Sequence, residues 1–205
     1  IAGVFLTHFH SDHIDGLGPL MLLRWTGGSA AAPLPIHGPP GVAQVVDGFN
    51  AAYTLDNGYR TSHHGARIVP PSGAGGTALP FAIASVPVTV LDEAGLRVTA
   101  FPVNHDPVKP AVGYRFDYKG RSFVISGDTA ASRSLDQAAQ GADIMVHEAL
   151  QPAMVKAITD VLVRRGQANV AQITRDIVDY HSTPEIAADS ARTAGVRRLV
   201  LNHLV

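Results

Sequence analysis

The stretch THFHSDHIDG, residues 7–16, contains three histidines and an aspartate within six consecutive positions. His8 and His10 are two residues apart, so their side chains point to the same side of an extended segment. Asp12 and His13 follow on a predicted turn and can reach a second position close by. Imidazole and carboxylate groups suit Zn²⁺, and also Mn²⁺ or Fe²⁺, and a ligand set without thiolate is more typical of catalytic than of structural zinc. The stretch therefore predicts a metal site.

Four more candidate residues follow predicted strands elsewhere in the chain. They end the apolar runs LRVTAFPVN, SFVIS, DIMVH and RRLVLN, and they are His105, Asp128, Glu148 and His203. The carboxyl ends of strands are where α/β sheets place their sites. One metal ion cannot bind all the candidate ligands, whereas two ions about 3.5–4 Å apart can share them through one bridging carboxylate. The alternative is that these are ordinary surface or core residues, and their clustering argues against it.

Strand-like and helix-like patterns alternate along the chain and predict an α/β (α+β layered) fold, in which sheets pack against helices. Four consecutive strands between residues 81 and 126 have an antiparallel pattern, with a hairpin turn at YKGR, residues 118–121. Residues 59–80 contain the run PPSGAGG and are predicted to form a loop. No internal repeat or linker is visible, so residues 1–205 are predicted to form a single domain.

Composition excludes several classes of protein. The chain has 205 residues, of which 46% are apolar and 16% are charged, as in folded globular domains. The formal net charge of −1 provides no general attraction for nucleic acid, so a nucleic-acid substrate would have to be held locally. Cysteine is absent, which excludes disulfides, thiolate zinc sites and a cysteine nucleophile. No apolar run approaches the ~20 residues of a membrane-spanning helix, so we expect no membrane partner.

Three motifs resemble those of a known family. THFHSDHIDG is similar to the HxHxDH signature of metallo-β-lactamase-fold hydrolases. ADIMVHEA, residues 142–149, and YHSTPEIAADSARTAGVRRLVLNH, residues 180–203, are similar to the HEAT and HST motifs of the ribonuclease Z branch. The resemblance implies an αββα sandwich. The first strands of that fold are missing before Ile1, and we expect the domain to be incomplete at both ends, so no compartment is predicted.

The resemblance also implies a role for each candidate residue. The protein would hold two zinc ions, with Mn²⁺ or Fe²⁺ possible, and would use a bridging hydroxide to cleave a phosphodiester. The implied ligands are His8, His10 and His105 for one ion, Asp12, His13 and His203 for the other, and Asp128 as the bridge. Asp12 would also orient or deprotonate the water. His181 would be the general acid on the leaving oxygen, and Glu148 would orient it.

The residues themselves support part of this assignment. His181 precedes a predicted helix that Thr183 can cap and Pro184 can begin, which would hold the histidine on a rigid element. A loop histidine and a surface carboxylate at Glu148 are the alternative.

Other polar residues have weaker predictions. His147 should face away from Glu148, so it and His37 are predicted to be structural. The His63–His64 pair is predicted either to line the pocket or bind substrate, or merely to stabilise a loop. Arg60 and Arg133 are candidates for binding an anion. Thr129, Ser182 and Asn202 flank candidate site residues and are predicted to form hydrogen bonds near them.

One departure from the family bears on the substrate. Bacterial ribonuclease Z proteins insert a tRNA-clamping arm between the third-motif histidine and the bridging aspartate, but His105 and Asp128 are only 23 positions apart. A tRNA substrate is therefore doubtful, and a small-molecule or nucleotide-like substrate is expected. The alternatives are hydrolysis of a sulfate ester, lactone, carboxylic ester or β-lactam, and a metal-binding scaffold without turnover. By analogy with relatives, a homodimer is possible.

Overall fold

The computed structural model describes residues 1–204, and Val205 lies outside the described residues. Its internal contacts divide the chain into two compact units, residues 1–82 and 83–205, which we call the first and the second unit. Each unit contains one β-sheet together with helices. The α/β class with sheets layered against helices is thus confirmed, whereas a single domain stays a prediction. No helix within residues 1–204 is both long and apolar enough to cross a membrane.

The first unit has a three-stranded parallel sheet in the order β1-β2-β3. Its elements are β1 (Val4–Phe5), α1 (Ser11–Ile14), α2 (Leu17–Gly28), β2 (Leu34–Gly38), α3 (Val42–His64), a 3₁₀ turn (Pro71–Gly73) and β3 (Gly76–Pro80). The core of this unit lies between the sheet and the helices α2 and α3. Its buried residues are Leu6, Leu17, Met21, Leu34, Ile36, Val42 and Val46.

The loop predicted over residues 59–80 is wrong at both ends. Helix α3 continues to His64, where Gly65 ends it with a left-handed φ of 84°. Residues 76–80 form β3 instead of a loop. The side-chain amide of Asn50 in α3 donates to the carbonyl of Gly76 and accepts its N–H, both at 2.9 Å, and so fixes the start of the strand. This strand depends on partners that are distant in sequence, and the Gly-rich run before it does not indicate a strand.

The second unit has a six-stranded sheet whose spatial order follows the chain, β4-β5-β6-β7-β8-β9. Its elements are β4 (Val88–Glu93), β5 (Leu96–Pro102), β6 (Val112–Tyr118), β7 (Arg121–Ile125), α4 (Arg133–Ala138), β8 (Ile144–Ala149), α5 (Pro152–Arg164), α6 (Ala168–Asp176), a 3₁₀ turn (Ile177–Asp179), α7 (Pro184–Thr193) and β9 (Leu199–Leu204). The four predicted antiparallel strands are present, but the first begins at Val88 and not at residue 81, and residues 81–87 belong to no strand. Lys119 and Gly120 form the predicted hairpin turn with φ values of 48° and 73°.

The sheet directions bring four chain segments to one edge of the second unit. The pairs β4–β5, β5–β6 and β6–β7 are antiparallel, whereas the pairs β7–β8 and β8–β9 are parallel. It follows that β5, β7, β8 and β9 all run the same way. Their carboxyl ends, and the candidate residues there, lie at the same edge. Helices α4 and α7 cover one face through a core that includes Phe101, Val124, Leu135, Met145 and Ala191.

Candidate metal and catalytic site

The histidine-rich loop lies in the first unit, between β1 and α2. His8 is buried, and its Nε2 lies 3.2 Å from Nδ1 of His10. The rings of His8 and His13 have centroids 4.2 Å apart, and Nε2 of His13 lies 3.1 Å from Oδ2 of Asp12. Asp12 and His13 belong to the short helix α1. The loop thus brings its four candidate ligands together, as their spacing predicts.

In the second unit, the main chain orients His105. Nδ1 of this buried histidine lies 3.0 Å from the carbonyl oxygen of Tyr180. Because a carbonyl oxygen can only accept, Nδ1 carries the proton and a neutral His105 presents the lone pair of Nε2 for coordination. The Tyr180 ring packs edge-on against His105, with centroids 5.1 Å apart. Burial, followed by the charges of Asp176 and Asp128, raises the pKa of the Tyr180 hydroxyl.

Asp128 and His203 approach each other at the same edge of the sheet. Asp128 is buried and follows Gly127, whose φ of 63° produces the sharp turn after β7. His203 has a φ of 46° and lies where the pairing of β8 with β9 shifts by one residue, so it is the extra residue of a β-bulge. Bulges re-aim side chains near sites. Here Nε2 of His203 lies 3.7 Å from Oδ2 of Asp128.

Glu148 and His181 form a buried pair. Glu148 is 1% exposed, and its Oε1 accepts hydrogen bonds from the backbone N–H groups of Thr129 at 3.1 Å and Ser182 at 3.0 Å. The same oxygen lies 3.0 Å from Nδ1 of His181. A carboxylate can only accept, so Nδ1 of His181 carries the proton and Nε2 is the ring nitrogen directed away from Glu148. The interpretation of Glu148 as a surface carboxylate is therefore wrong.

The segment that carries His181 is fixed by the start of α7. The Thr183 hydroxyl accepts a hydrogen bond from the N–H of Ile186 at 3.3 Å, and Pro184 is the first helical residue, as the sequence predicts. The His181 side chain is only 7% exposed. A mere loop histidine does not fit this burial and its contact with Glu148.

The donor groups fit a metal ion. Ligand atoms of Asp128, His181 and His203 in the second unit all lie within 4.8 Å of one another. In the first unit, Nε2 of His8 and Nδ1 of His10 are 3.2 Å apart. Imidazole and carboxylate donors at such separations can turn toward one cation. Together with the fold, the two clusters indicate a metal cofactor.

The polar residues beside the site include one that the sequence analysis missed. The buried hydroxyl of Ser126 accepts the N–H of Glu148 at 3.1 Å and donates to the carbonyl of Gly127 at 2.6 Å. Its position in the sequence SGDT, two residues before Asp128, could have identified Ser126 as a residue near the site. Ser182 and Thr129 do form hydrogen bonds here, and Asn202 is exposed.

The weaker candidates have varied surroundings. His63 and His64 are exposed in the last turn of α3, with ring centroids 4.7 Å apart. Arg60 forms an ion pair with Asp56 at 2.7 Å, and Arg133 is exposed at the start of α4. Binding roles for these residues stay predictions.

His37 and His147 have structural contacts, as expected. The ring of His37 stacks on Phe5 at 4.5 Å, and burial lowers its pKa. His147 is buried, and its Nδ1 donates to the Glu148 carbonyl at 2.7 Å.

Burial lowers the pKa of His147 below the ordinary histidine value, against the opposing effects of Glu148 and Asp136. The unfolded chain therefore takes up a proton at this residue at a higher pH than the folded chain. Stability should fall as the pH drops below ~6.5, the unperturbed value. We expect His147→Asn to reduce the slope of the free energy of unfolding against pH, measured by urea unfolding between pH 5 and 7. We expect the exposed His64→Asn to leave this slope unchanged. Equal slopes in the two variants would show that His147 does not contribute.

Comparison with known proteins identifies the family. A model described as "Beta-lactamase superfamily domain" matches residues 1–204. The chain is 39% identical over 210 residues to the ribonuclease Z of Mycolicibacterium gilvum (strain PYR-GCK), covering 100% of this chain and 66% of the relative. It is 38% identical over 208 residues to the ribonuclease Z of Mycobacterium bovis (strain BCG / Pasteur 1173P2), covering 100% and 68%. The chain thus spans about two thirds of the length of these relatives.

Solved structures agree on the fold. The short form of human tRNase Z matches with a TM-score of 0.69 at 22% identity, covering 100% of this chain and 73% of that one. A long-form RNase Z from yeast matches with a TM-score of 0.65 at 12% identity, covering 100% and 28%. At these identities the likeness shows the fold alone, and it confirms the predicted metallo-β-lactamase fold. The chain therefore belongs to the β-lactamase superfamily, in its ribonuclease Z-like branch of hydrolytic enzymes.

Proposed function

We propose that this protein is a zinc-dependent phosphodiesterase that cleaves RNA with two metal ions and a histidine general acid. The observation that carries the proposal is the buried Glu148–His181 pair. Cleavage of a phosphodiester in RNA expels an alkoxide, which needs a proton, whereas an ester whose leaving group is an acidic phenol depends less on a dedicated acid. The relatives named ribonuclease Z support the same class of substrate.

The proposed metal ligands are the seven histidine and aspartate residues of the family motifs. They are His8, His10, Asp12, His13, His105, Asp128 and His203. When bound, two zinc ions would lower the pKa of a water nucleophile and offset negative charge on the phosphate. Asp12 is exposed, so its carboxylate is accessible for orienting that water or accepting its proton. The buried carboxylate of Asp128 would be a further ligand for the metal ions.

His181 would supply the proton to the leaving oxygen. Glu148 holds Nδ1 of the ring, so a protonated His181 donates from Nε2. The bonds from Thr129 and Ser182 hold the carboxylate in turn. A general acid held in this orientation is more effective than a freely rotating one, because the His181 ring needs little reorganisation when the phosphodiester bond breaks.

Two observations bear on which RNA this protein cleaves. Between His105 and Asp128 the chain forms only a short loop and the β6–β7 hairpin with its two-residue turn, which gave reason to doubt tRNA. The names of the relatives weigh in the other direction, and we therefore include a tRNA precursor among the substrates to be tested. A homodimer stays a prediction.

A substrate panel tests the function. We expect the zinc-loaded protein to cleave bis(4-nitrophenyl) phosphate and a 3′-extended tRNA transcript, a chelator to abolish both activities, and added Zn²⁺ to restore them. The panel also contains a sulfate ester, a lactone, a carboxylic ester and a β-lactam. Turnover of one of these without phosphodiester cleavage would favour the alternative hydrolases. Two zinc ions per chain with no turnover at all would favour a metal-binding scaffold.

A further inference from the structure

We infer that Thr129 is a positioning residue, whose hydroxyl ties the loop of His105 to the loop that carries Asp128 and, through it, to the Glu148–His181 pair. The inference rests on the proposed function for its effect on catalysis. Its structural part stands on hydrogen bonds within the second unit alone. Thr129 is fully buried and lies directly after Asp128.

The Thr129 side chain holds the segment before His105. Its Oγ1 accepts the N–H of Asn104 at 3.1 Å and lies 3.3 Å from the Asn104 carbonyl. The hydroxyl donates to the carbonyl of Ala130 at 2.7 Å, and the N–H of Ala130 donates to the carbonyl of Asn104, also at 2.7 Å. Both the N–H and the carbonyl of Asn104, the residue before His105, are therefore hydrogen-bonded to the loop after Asp128.

The Thr129 backbone reaches the proposed acid. Its N–H donates to Oε1 of Glu148 at 3.1 Å, and its carbonyl accepts the hydroxyl of Ser182 at 2.6 Å. Ser182 directly follows His181, and its own N–H also donates to Oε1 of Glu148. One buried residue thus joins the segments of Asn104, Glu148 and Ser182.

A hydroxyl is needed at this position to accept the Asn104 N–H, whereas the bond from the Ala130 N–H to the Asn104 carbonyl is made by backbone and does not depend on the side chain. Valine has nearly the shape of threonine but cannot accept the Asn104 N–H, so Thr129→Val should let the His105 loop move relative to Asp128 without emptying the core. A displacement of about 1 Å in a catalytic site can cost about 10²-fold in rate. The alternative is that Thr129 only stabilises the fold, as many buried threonines do.

Thr159 provides the matched control. It is also buried, and its hydroxyl donates to the Val155 carbonyl within α5 at 2.8 Å and contacts the Thr174 hydroxyl. Thr159→Val removes a buried hydroxyl whose bonds involve none of the site segments. Thr129→Ser keeps the hydroxyl and removes only a methyl group.

The three variants are compared by steady-state kinetics on the 3′-extended tRNA transcript, by zinc content, and by amide hydrogen exchange of Asn104 and Ser182. We expect Thr129→Val to lower kcat by about 10- to 100-fold with KM changed less than about 3-fold, and to speed exchange at both amides by about 10-fold. Thr129→Ser should stay within about 3-fold of the wild type, and Thr159→Val should keep kcat and both exchange rates.

Two results would overturn the inference. One is unchanged exchange at Asn104 and Ser182 in Thr129→Val. The other is a loss of kcat in Thr129→Val that is not specific to the hydroxyl of Thr129. This would be the case if Thr159→Val lost as much kcat at an equal loss of stability, or if Thr129→Ser lost as much kcat as Thr129→Val. If the wild type cleaves no phosphodiester, the proposed function fails, but the exchange rates still decide whether Thr129 links the segments.

Discussion

Replacing His181 by alanine should slow cleavage of an RNA phosphodiester by about 10²–10⁴-fold, the range typical of a lost general acid. The reason is that the ribose alkoxide would leave without a proton from Nε2, the nitrogen directed away from Glu148. The effect should appear in kcat rather than KM, because the proton is transferred in the transition state. Rates on the 3′-extended tRNA transcript, with zinc in excess, measure it.

The leaving group provides an internal control. 4-Nitrophenolate is a far weaker base than an alkoxide and leaves readily without a proton. His181→Ala should therefore lose much less activity on bis(4-nitrophenyl) phosphate than on RNA. Equal losses on both substrates would argue against an acid role.

The geometry of the second unit also admits a different role for His181. Its ring nitrogen lies within 4.8 Å of ligand atoms of Asp128 and His203, so His181 is also a candidate metal ligand. Zinc content separates the two roles. A general acid can be removed with the zinc content retained, whereas removal of a ligand should reduce it together with all activity.

The sequence predicts the position of the site better than the contacts within it. Apolar runs that end in polar residues are local patterns, and the common direction of β5, β7, β8 and β9 places those ends together. The HxHxDH spacing likewise predicts the convergence of His8 and His13, because only a few bonds separate them.

What the sequence did not predict depends on partners far along the chain. Glu148 lies inside β8 rather than past its end, and its burial follows from strands on both sides. The bulge at His203 arises from pairing with β8, and no residue in LNHL indicates it. Thr129 could be flagged as a neighbour of Asp128, but its bonds to Asn104, 25 residues earlier, exist only in the folded chain.

Glu148→Ala should be among the most destabilising single changes in the second unit. Oε1 of Glu148 accepts two backbone N–H groups and the His181 ring, so truncation leaves buried donors without an acceptor. Loss of such a buried charged partner typically costs about 3–5 kcal/mol. Urea unfolding measures the cost, and Glu93→Ala, at the exposed end of β4, should stay within about 0.5 kcal/mol of the wild type.

Glu148→Gln separates the structural role from the catalytic one. A glutamine oxygen can still accept at the position of Oε1, so most of the stability should remain. Its amide nitrogen would stand near Oε2, which has no hydrogen-bond partner within residues 1–204, and we expect a cost of about 1–2 kcal/mol there. Without the carboxylate charge, a protonated His181 loses its counterion, so kcat on RNA should fall while the fold persists. If Glu148→Gln instead unfolds as easily as Glu148→Ala, the negative charge itself stabilises the fold. If Glu148→Gln retains full activity, orientation of His181 does not require that charge.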